Sequence, residues 1–429
     1  MRLRVIALFL VLGVSAAACG NSDSSDDASP TTTGGDGVAV DQPGVTDDEI
    51  RVGGIAVLTN NPLGNDIGAI YDGVEAYFEM INSEGGIYGR ELKLVSKRDD
   101  ALGNGKAEAE ALLAENLFAA IPIAEVLFEG ADDLANAKIP TFGWNVQAEW
   151  TGPENFFEQE GALCFGCAGV GLPWLAQELG KTKIALLAYN QPQSADCAKG
   201  VKASFEKYPS AEIVYETSAL SFGVTDVSSD VQKMKDADVD LVTTCMDQNG
   251  VLTIEREMEE QQLDAIQYLP NAYDHGFMEQ YGDLLEGSYV RTRFAPLETD
   301  PLPKGLQLFD KWMDETGKEK KELAIVGWID ADMFVTGLRA AGENFTQQKV
   351  IDELNKLKDY DAQGILPGLD WTIQHKDPAI PANRPKEDCF SITKIENKKF
   401  VPAFTEPGKP FVCFESEAAE IPDGPTNKA

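Results

Sequence analysis

The sequence predicts an α/β fold divided into two domains, and three observations carry that prediction. A chain of 429 residues exceeds what one compact core holds, since domains commonly run about 100–200 residues. Residues 50–96 read as strand, loop, amphipathic helix, glycine turn and strand, the repeating unit of an open parallel sheet. The same rhythm of strand and helix restarts near residue 170, after an irregular stretch.

The chain opens with a processing segment rather than a fold element. Arg2 and Arg4 form a basic start, and Val5 to Val14 is an apolar run. That run falls far short of the ~20 residues needed to span a bilayer. Small residues Ser15 to Ala18 then precede Cys19, so residues 1–18 read as a signal peptide cut between Ala18 and Cys19. Ala16 stands where a lipoprotein motif usually has leucine. Residues 19–44 are rich in Gly, Ser, Thr and Asp with almost no apolar residues, which predicts a flexible tether. A cysteine at the tip of a tether is suited to acylation, so Cys19 is the expected lipid anchor.

Ile50 to Leu58 reads as the first strand. In the helix that follows, Ile67, Ile70, Val74, Tyr77, Phe78 and Ile81 recur at helical spacing and predict one inward face. Gly85 and Gly86 end the helix by supplying positive φ, Gly89 turns the chain, and 91–96 is the next strand. Ala107 to Leu117 is rich in alanine and glutamate and predicts a helix. Phe118 to Ile123 and Ile139 to Phe142 are short buried strands, with a helix opening at Asp132 and Asp133, where negative charge is favourable.

The phrase Ile81-Asn82, then Gly85-Gly86-Ile87 and Gly89-Arg90, stands between the lead-in GVTDDEIRVGGIAVLT and the following KRDDALGNGKAEAEA. Together these resemble the opening of the substrate-binding proteins of branched-chain amino acid ABC transporters, with the type I periplasmic binding fold. The likeness in layout covers roughly residues 44–404. It implies two doubly wound open-sheet lobes joined by three hinge crossings. The expected division is 45–160 plus 295–364 for lobe 1, 161–294 plus 365–415 for lobe 2, and a disordered tail at 416–429.

Within the second lobe, 170–179, 195–207, 227–235, 252–262 and 277–284 read as helices. They alternate with strands at 183–189, 211–217, 239–245, 266–270 and 288–294. Helices at 303–316, 327–341 and 347–357 would return to the first lobe. Residues 389–395, 400–404 and 411–414 would close the chain as a small antiparallel set.

Composition excludes some partners. Lys+Arg 36 against Asp+Glu 71 gives a net charge of −35, which repels phosphate backbones and argues against nucleic acid. Beyond Cys19, the cysteines are Cys164, Cys167, Cys197, Cys245, Cys389 and Cys413, and an even number in an exported chain argues for disulfides. Cys389 and Cys413 flank neighbouring strands and are expected to pair; the other four allow three connectivities. A zinc site on Cys164 and Cys167 would need two more ligands, and neither His275 nor His375 stands at ligand spacing. No metal and no cofactor are expected. Catalytic signatures such as G-x-S-x-G, the phosphate loop or a dinucleotide fingerprint are missing, so an enzyme is disfavoured.

Ligands of open α/β sheets bind beyond the carboxyl ends of the strands. The first-lobe loops there carry Thr59 and Asn60, then Glu125, then Trp144 and Asn145. Those of the second lobe carry Tyr189 and Gln191, then Asp247, then Tyr273 and Asp274. The resemblance implies small hydroxyl residues for a ligand carboxylate and an acid for its ammonium. Asp274 stands where that acid is expected, but Glu125, Phe128, Glu129, Trp144 and Asn145 replace the hydroxyl pairs. Four loop acids (Glu125, Glu129, Asp247 and Asp274) without lysine or arginine predict a cationic or neutral polar ligand, with Trp144, Tyr189 or Tyr273 stacking on it. Trp150, Trp174 and Trp312 are assigned to packing, and His275 to a surface hydrogen bond.

The expected protein is a monomeric, lipid-anchored receptor that binds an amino acid, amide or amine outside the cytoplasm and delivers it to an ABC transporter permease. A sensor of the same fold, signalling to a membrane partner, is the alternative.

Overall fold

A computed structural model of the protein describes residues 39–429. The expected signal peptide, Cys19 and most of the tether lie outside the described residues. The chain runs β1 (Glu49–Ala56), α1 (Ala69–Ser83), β2 (Glu91–Asp99), α2 (Gly105–Leu113), β3 (Ala119–Ala124), α3 (Ala131–Ala137), β4 (Thr141–Gly143) and β5 (Phe156–Glu158). These strands form one all-parallel sheet in the order β2-β1-β3-β4-β5. β5 falls just before the expected lobe border at residues 160 and 161: Phe156, Phe157 and Glu158 are all buried and pair with β4.

The chain then crosses to α4 (Gly171–Glu178), β6 (Lys183–Tyr189), α5 (Pro192–Lys207), β7 (Glu212–Leu220), α6 (Ser228–Asp236) and β8 (Leu241–Cys245). It continues through α7 (Gln248–Gln261), β9 (Ile266–Leu269), α8 (His275–Tyr281) and β10 (Tyr289–Thr292). A return follows with α9 (Lys304–Thr316), α10 (Glu322–Ala341) and α11 (Gln347–Leu354), which share a core with α1 and the first sheet. Helix α10 is apolar almost all round and correspondingly buried. It meets α1 at two glycines. A Cβ on Gly73 would strike the Ala324 carbonyl, and one on Gly327 the Ile70 carbonyl.

The third crossing leads through α12 (Trp371–Gln374) to β11 (Glu387–Glu396), β12 (Lys399–Pro402), β13 (Phe411–Glu415) and β14 (Thr426–Lys428). The last strands are no separate set: β11 pairs antiparallel with β10, extending the second sheet to β14-β13-β11-β10-β9-β8-β6-β7. The architecture is thus two α/β lobes with open, mostly parallel sheets and three passages of chain between them, the type I periplasmic binding fold.

Two ends are more ordered than the sequence suggests. Gln42 Oε1 accepts from Gln347 N at 3.1 Å, and Gly44 N donates to Asn116 Oδ1 at 3.1 Å, so the tether is docked before Gly44. Near the carboxyl end, Tyr208 donates to the Ala418 carbonyl at 2.7 Å and β14 pairs with β13. The expected disordered tail is corrected accordingly. Its polar residues satisfy a sheet edge: Asn427 Nδ2 donates to the Phe404 carbonyl at 2.9 Å.

Candidate functional site

The strands of both sheets aim their carboxyl ends at one cleft, and a cavity of about 870 Å³ occupies it. Small-molecule sites commonly span ~300–1,000 Å³. The first sheet contributes Leu63 and Asn65 beyond β1, Val126 beyond β3, and Trp144 and Asn145 beyond β4. Opposite stand Tyr189 and Gln191 beyond β6, Phe222 beyond β7, Met246 and Asp247 beyond β8, and Asn271 beyond β9.

Hydrogen bonds latch the two rims. Asn249 Nδ2 donates to the Pro62 carbonyl at 2.6 Å, and Asn249 N to the Leu63 carbonyl at 3.1 Å. Gln193 Nε2 donates to the Val126 carbonyl at 3.3 Å, and Asn65 Nδ2 to the Asn271 carbonyl at 3.5 Å. The lobes are therefore closed over the cavity.

Local structure positions the polar groups of its wall. Asp247 precedes α7 and its Oδ1 accepts from Gly250 N at 3.0 Å, capping the helix. Burial lifts its pKa to about 6, against the opposing pull of the Gly250 N–H and the neighbouring Tyr189 hydroxyl. Burial, and then the charge of Asp247, push the Tyr189 hydroxyl up in turn. Tyr189 Oη and Asp247 Oδ2 nevertheless lack a hydrogen bond of good geometry. Asn145 Oδ1 and Thr244 Oγ1, also on the wall, are buried without a partner. Buried polar atoms are rarely left unpaired, so these atoms have hydrogen-bonding capacity to spare at the cavity wall. Tyr189 and Phe222 pack edge to face at 5.2 Å, giving the wall an aromatic corner.

A second arm of the cavity runs along one face of the second sheet. Thr243, Tyr268 and Tyr289 are paired neighbours on β8, β9 and β10, so they share a face, and the alternation of a strand adds Arg291 and Arg293 to it. Segment 162–172, the start of α5 and segment 378–388 roof this arm. Disulfides brace it: Cys164–Cys167 within the roof, and Cys197–Cys245 between α5 and β8. Cys389 and Cys413 are joined across β11 and β13.

Of the residues expected at the site, Trp144, Asn145, Tyr189, Gln191 and Asp247 are brought together on the cavity wall. The other five lie away from it. Thr59 donates to Asp99 Oδ2 at 2.5 Å, and Asn60 is an exposed turn residue in the left-handed region with φ 56°. Glu125 is buried inside the first lobe, where burial and the charge of Asp100 raise its pKa to about 9. Tyr273 is buried in the core and donates to Glu298 Oε2 at 2.7 Å. Asp274 caps α8, accepting from Phe277 N at 2.7 Å. Glu129 is exposed outside the cavity. His275 bonds Glu298 at 2.7 Å on the surface, while Trp150 and Trp174 are buried in packing.

Phe222, Ser194, Arg291, Arg293 and the roof segments were not expected. Ser194 ties the wall together, donating to the Cys245 carbonyl at 2.6 Å and accepting from Tyr189 N at 2.8 Å. The arginines do carry a sequence signal: two charges at alternate positions, 291 at the strand and 293 just past it, lie on one face of the sheet.

Among the described residues, no group of three or more His, Cys, Asp or Glu could hold a metal, and no helix is long and apolar enough to cross a membrane. No curated protein matches the chain. Solved structures match in fold. A fatty acid ABC transporter substrate-binding protein from Thermomonospora curvata has TM-score 0.70 and 20% identity, over 90% of this chain and 98% of that one. A branched-chain amino acid ABC transporter protein from Thermus thermophilus, with bound valine, has TM-score 0.68 and 17% identity, over 83% and 95%. An ABC transporter solute-binding protein from R. palustris, in complex with benzoate, has TM-score 0.64 and 17% identity, over 87% and 99%. Residues 49–398 match the family model described as periplasmic binding protein. With most of its length so matched, and both sheets closing on one cavity, the chain belongs to the periplasmic binding protein family, a family of non-catalytic solute binders.

Proposed function

We propose that this protein is an extracytoplasmic receptor that closes its two lobes over a small organic solute and delivers it to the permease of an ABC transporter. An acylated Cys19 would hold it at the membrane, with the tether giving it reach. The observation that carries the reading is the latched cavity of about 870 Å³, walled by loops from both sheets. Proteins of the same fold include a fatty acid ABC transporter substrate-binding protein and ABC transporter proteins with bound valine and with benzoate, which supports transport as the role.

The solute in this reading is an amino acid or a related molecule with an apolar body and polar ends. Trp144, Tyr189 and Phe222 would pack on the body, and Asp247 would accept from a ligand donor. A purely cationic ligand is less favoured than the loop acids suggest. Glu125 keeps its proton in the interior, Asp274 is engaged in capping α8, and Arg291 and Arg293 add positive charge to the cavity.

A thermal-shift screen of amino acids, amides, amines and aromatic and fatty acids tests this, because a ligand of the folded state raises the melting temperature by mass action. At least one class should give a saturable rise that Trp144→Ala abolishes. If none of these classes stabilises the protein at millimolar concentration, the reading fails.

A further inference from the structure

Resting on the receptor reading above, we propose that Arg291 is the anchor for a carboxylate of the bound solute, so that the natural ligand is an organic monocarboxylate lying along the second arm of the cavity.

The argument begins with what the guanidinium touches. Arg291 stands on β10, where it faces Ile392 of β11 in register, and its guanidinium lies over the Phe390 ring at 4.8 Å. It has no hydrogen bond and no ion pair among the described residues. Its neighbour Arg293 is matched: Nη1 meets Asp388 Oδ1 at 2.5 Å, and Nε lies 3.5 Å from Glu160 Oε2. The two arginines therefore differ in kind. Arg293 holds β10 to β11 and to the crossing segment, while Arg291 is stacked in place with its donors unspent and lines the cavity.

A guanidinium stacked on an aromatic ring with its donors unpaired is suited to a carboxylate, its natural complement through two parallel N–H···O bonds. Burial and the charge of Arg293 both press on Arg291 and lower its pKa, so a bound anion would relieve it. The surroundings also limit how much negative charge fits. Asp388 is held below the usual carboxylate range, its burial outweighed by Arg293 and Arg291, and is ionised beside the site. Glu160 is the next acid. Two arginines stand against two acids, so the cluster carries no excess positive charge; Arg291 offers donors for a single carboxylate, and a phosphate dianion would be repelled.

The rest of the arm fits a body attached to that carboxylate. Val170, Leu172 and Val201 line the same cavity as Arg291, as do Tyr189 and Phe222, which form the aromatic corner. A ligand whose carboxylate sits on Arg291 would thus point its apolar part at the interlobe loops and couple both lobes to one molecule.

Calorimetric titration of the mature chain with leucine, benzoate and octanoate, each beside its amide, tests the assignment. At least one carboxylate should bind at least tenfold more tightly than its amide. Arg291→Met should remove that preference by lowering carboxylate affinity tenfold or more while leaving amide affinity within about twofold. Arg291→Lys, which keeps the charge but not the two-pronged geometry, should fall between. Circular dichroism and melting of each variant establish that it is folded. If a folded Arg291→Met protein binds the carboxylate as wild type does, or if an amide or amine binds best, the anchor is refuted and the receptor reading stands. If no member of the panel binds the wild-type protein and a broader solute screen is also silent, both fall together.

Discussion

The carboxyl groups of Glu125 and Asp100 are neighbours buried in the interior of the first lobe. Glu125 has no donor from elsewhere, and Asp100 Oδ2 is likewise unpaired. A proton kept on Glu125 supplies the missing donor, and burial together with Asp100 raises its pKa from 4.5 to about 9. Between those two values the native protein holds a proton that the unfolded chain has released, so stability falls as pH rises through that window. At about 1.4 kcal/mol per pH unit, the cost at pH 7 is on the order of 3 kcal/mol relative to pH 4.5. Glu125→Gln should raise the melting temperature at pH 8 and flatten its decline between pH 5 and 9, as read by melting curves. An unchanged pH profile would rule out the proton kept on Glu125.

Asp274 gives a contrasting expectation. Its carboxylate is engaged with Phe277 N at the start of α8. Asp274→Ala should lower stability by about 1 kcal/mol, the usual worth of such a cap. Solute affinity should be unaltered, as measured by denaturant unfolding and calorimetry on one preparation.

The hydrogen bonds of Asn249 join the two rims of the cleft. Asn249→Ala deletes the bond to the Pro62 carbonyl, whose net worth is about 1 kcal/mol. Affinity for a solute that selects the closed form should drop about fivefold, and small-angle scattering of the variant without ligand should report a larger radius of gyration.

The Cys197–Cys245 bridge closes a loop with sequence separation 48. Chain entropy assigns such a loop about 4 kcal/mol. The double variant Cys197→Ala/Cys245→Ala should unfold at lower denaturant by that order. Because both residues line the cavity, it should also bind solute more weakly even where it remains folded.

Much of the architecture is legible from local pattern. The apolar run KIALLAY is β6 from end to end, and the glycine pair after α1 ends that helix where positive φ is needed. β5 escapes notice because three residues carry too little periodicity to be told from a crossing. The site is legible only where the loop backbone delivers the side chain. Trp144, Tyr189 and Asp247 follow directly from strand ends, whereas Glu125 lies one residue past β3 yet turns inward beneath α2. A sequence states the charge of Glu125 but not its direction, and counting it as a ligand group therefore overstated the acidity of the cleft. Arg291 and Arg293 were passed over for the opposite reason. Arg291 belongs to a strand rather than a loop and Arg293 directly follows it, and both become part of the cavity only because segment 162–172, distant in sequence, folds across them.

The second sheet is completed only by β11, β13 and β14, which come after the helices that pack on the first. During synthesis or export, then, one half of the receptor can mature early while the other waits for residues 387–428 to emerge. A nascent chain halted before residue 387 would expose β10 as an open edge and leave Arg291 without the Phe390 wall it rests on. Binding competence thus waits on strands that follow the first lobe's helices in the chain, and a product halted before them would present an unfinished, unpaired border.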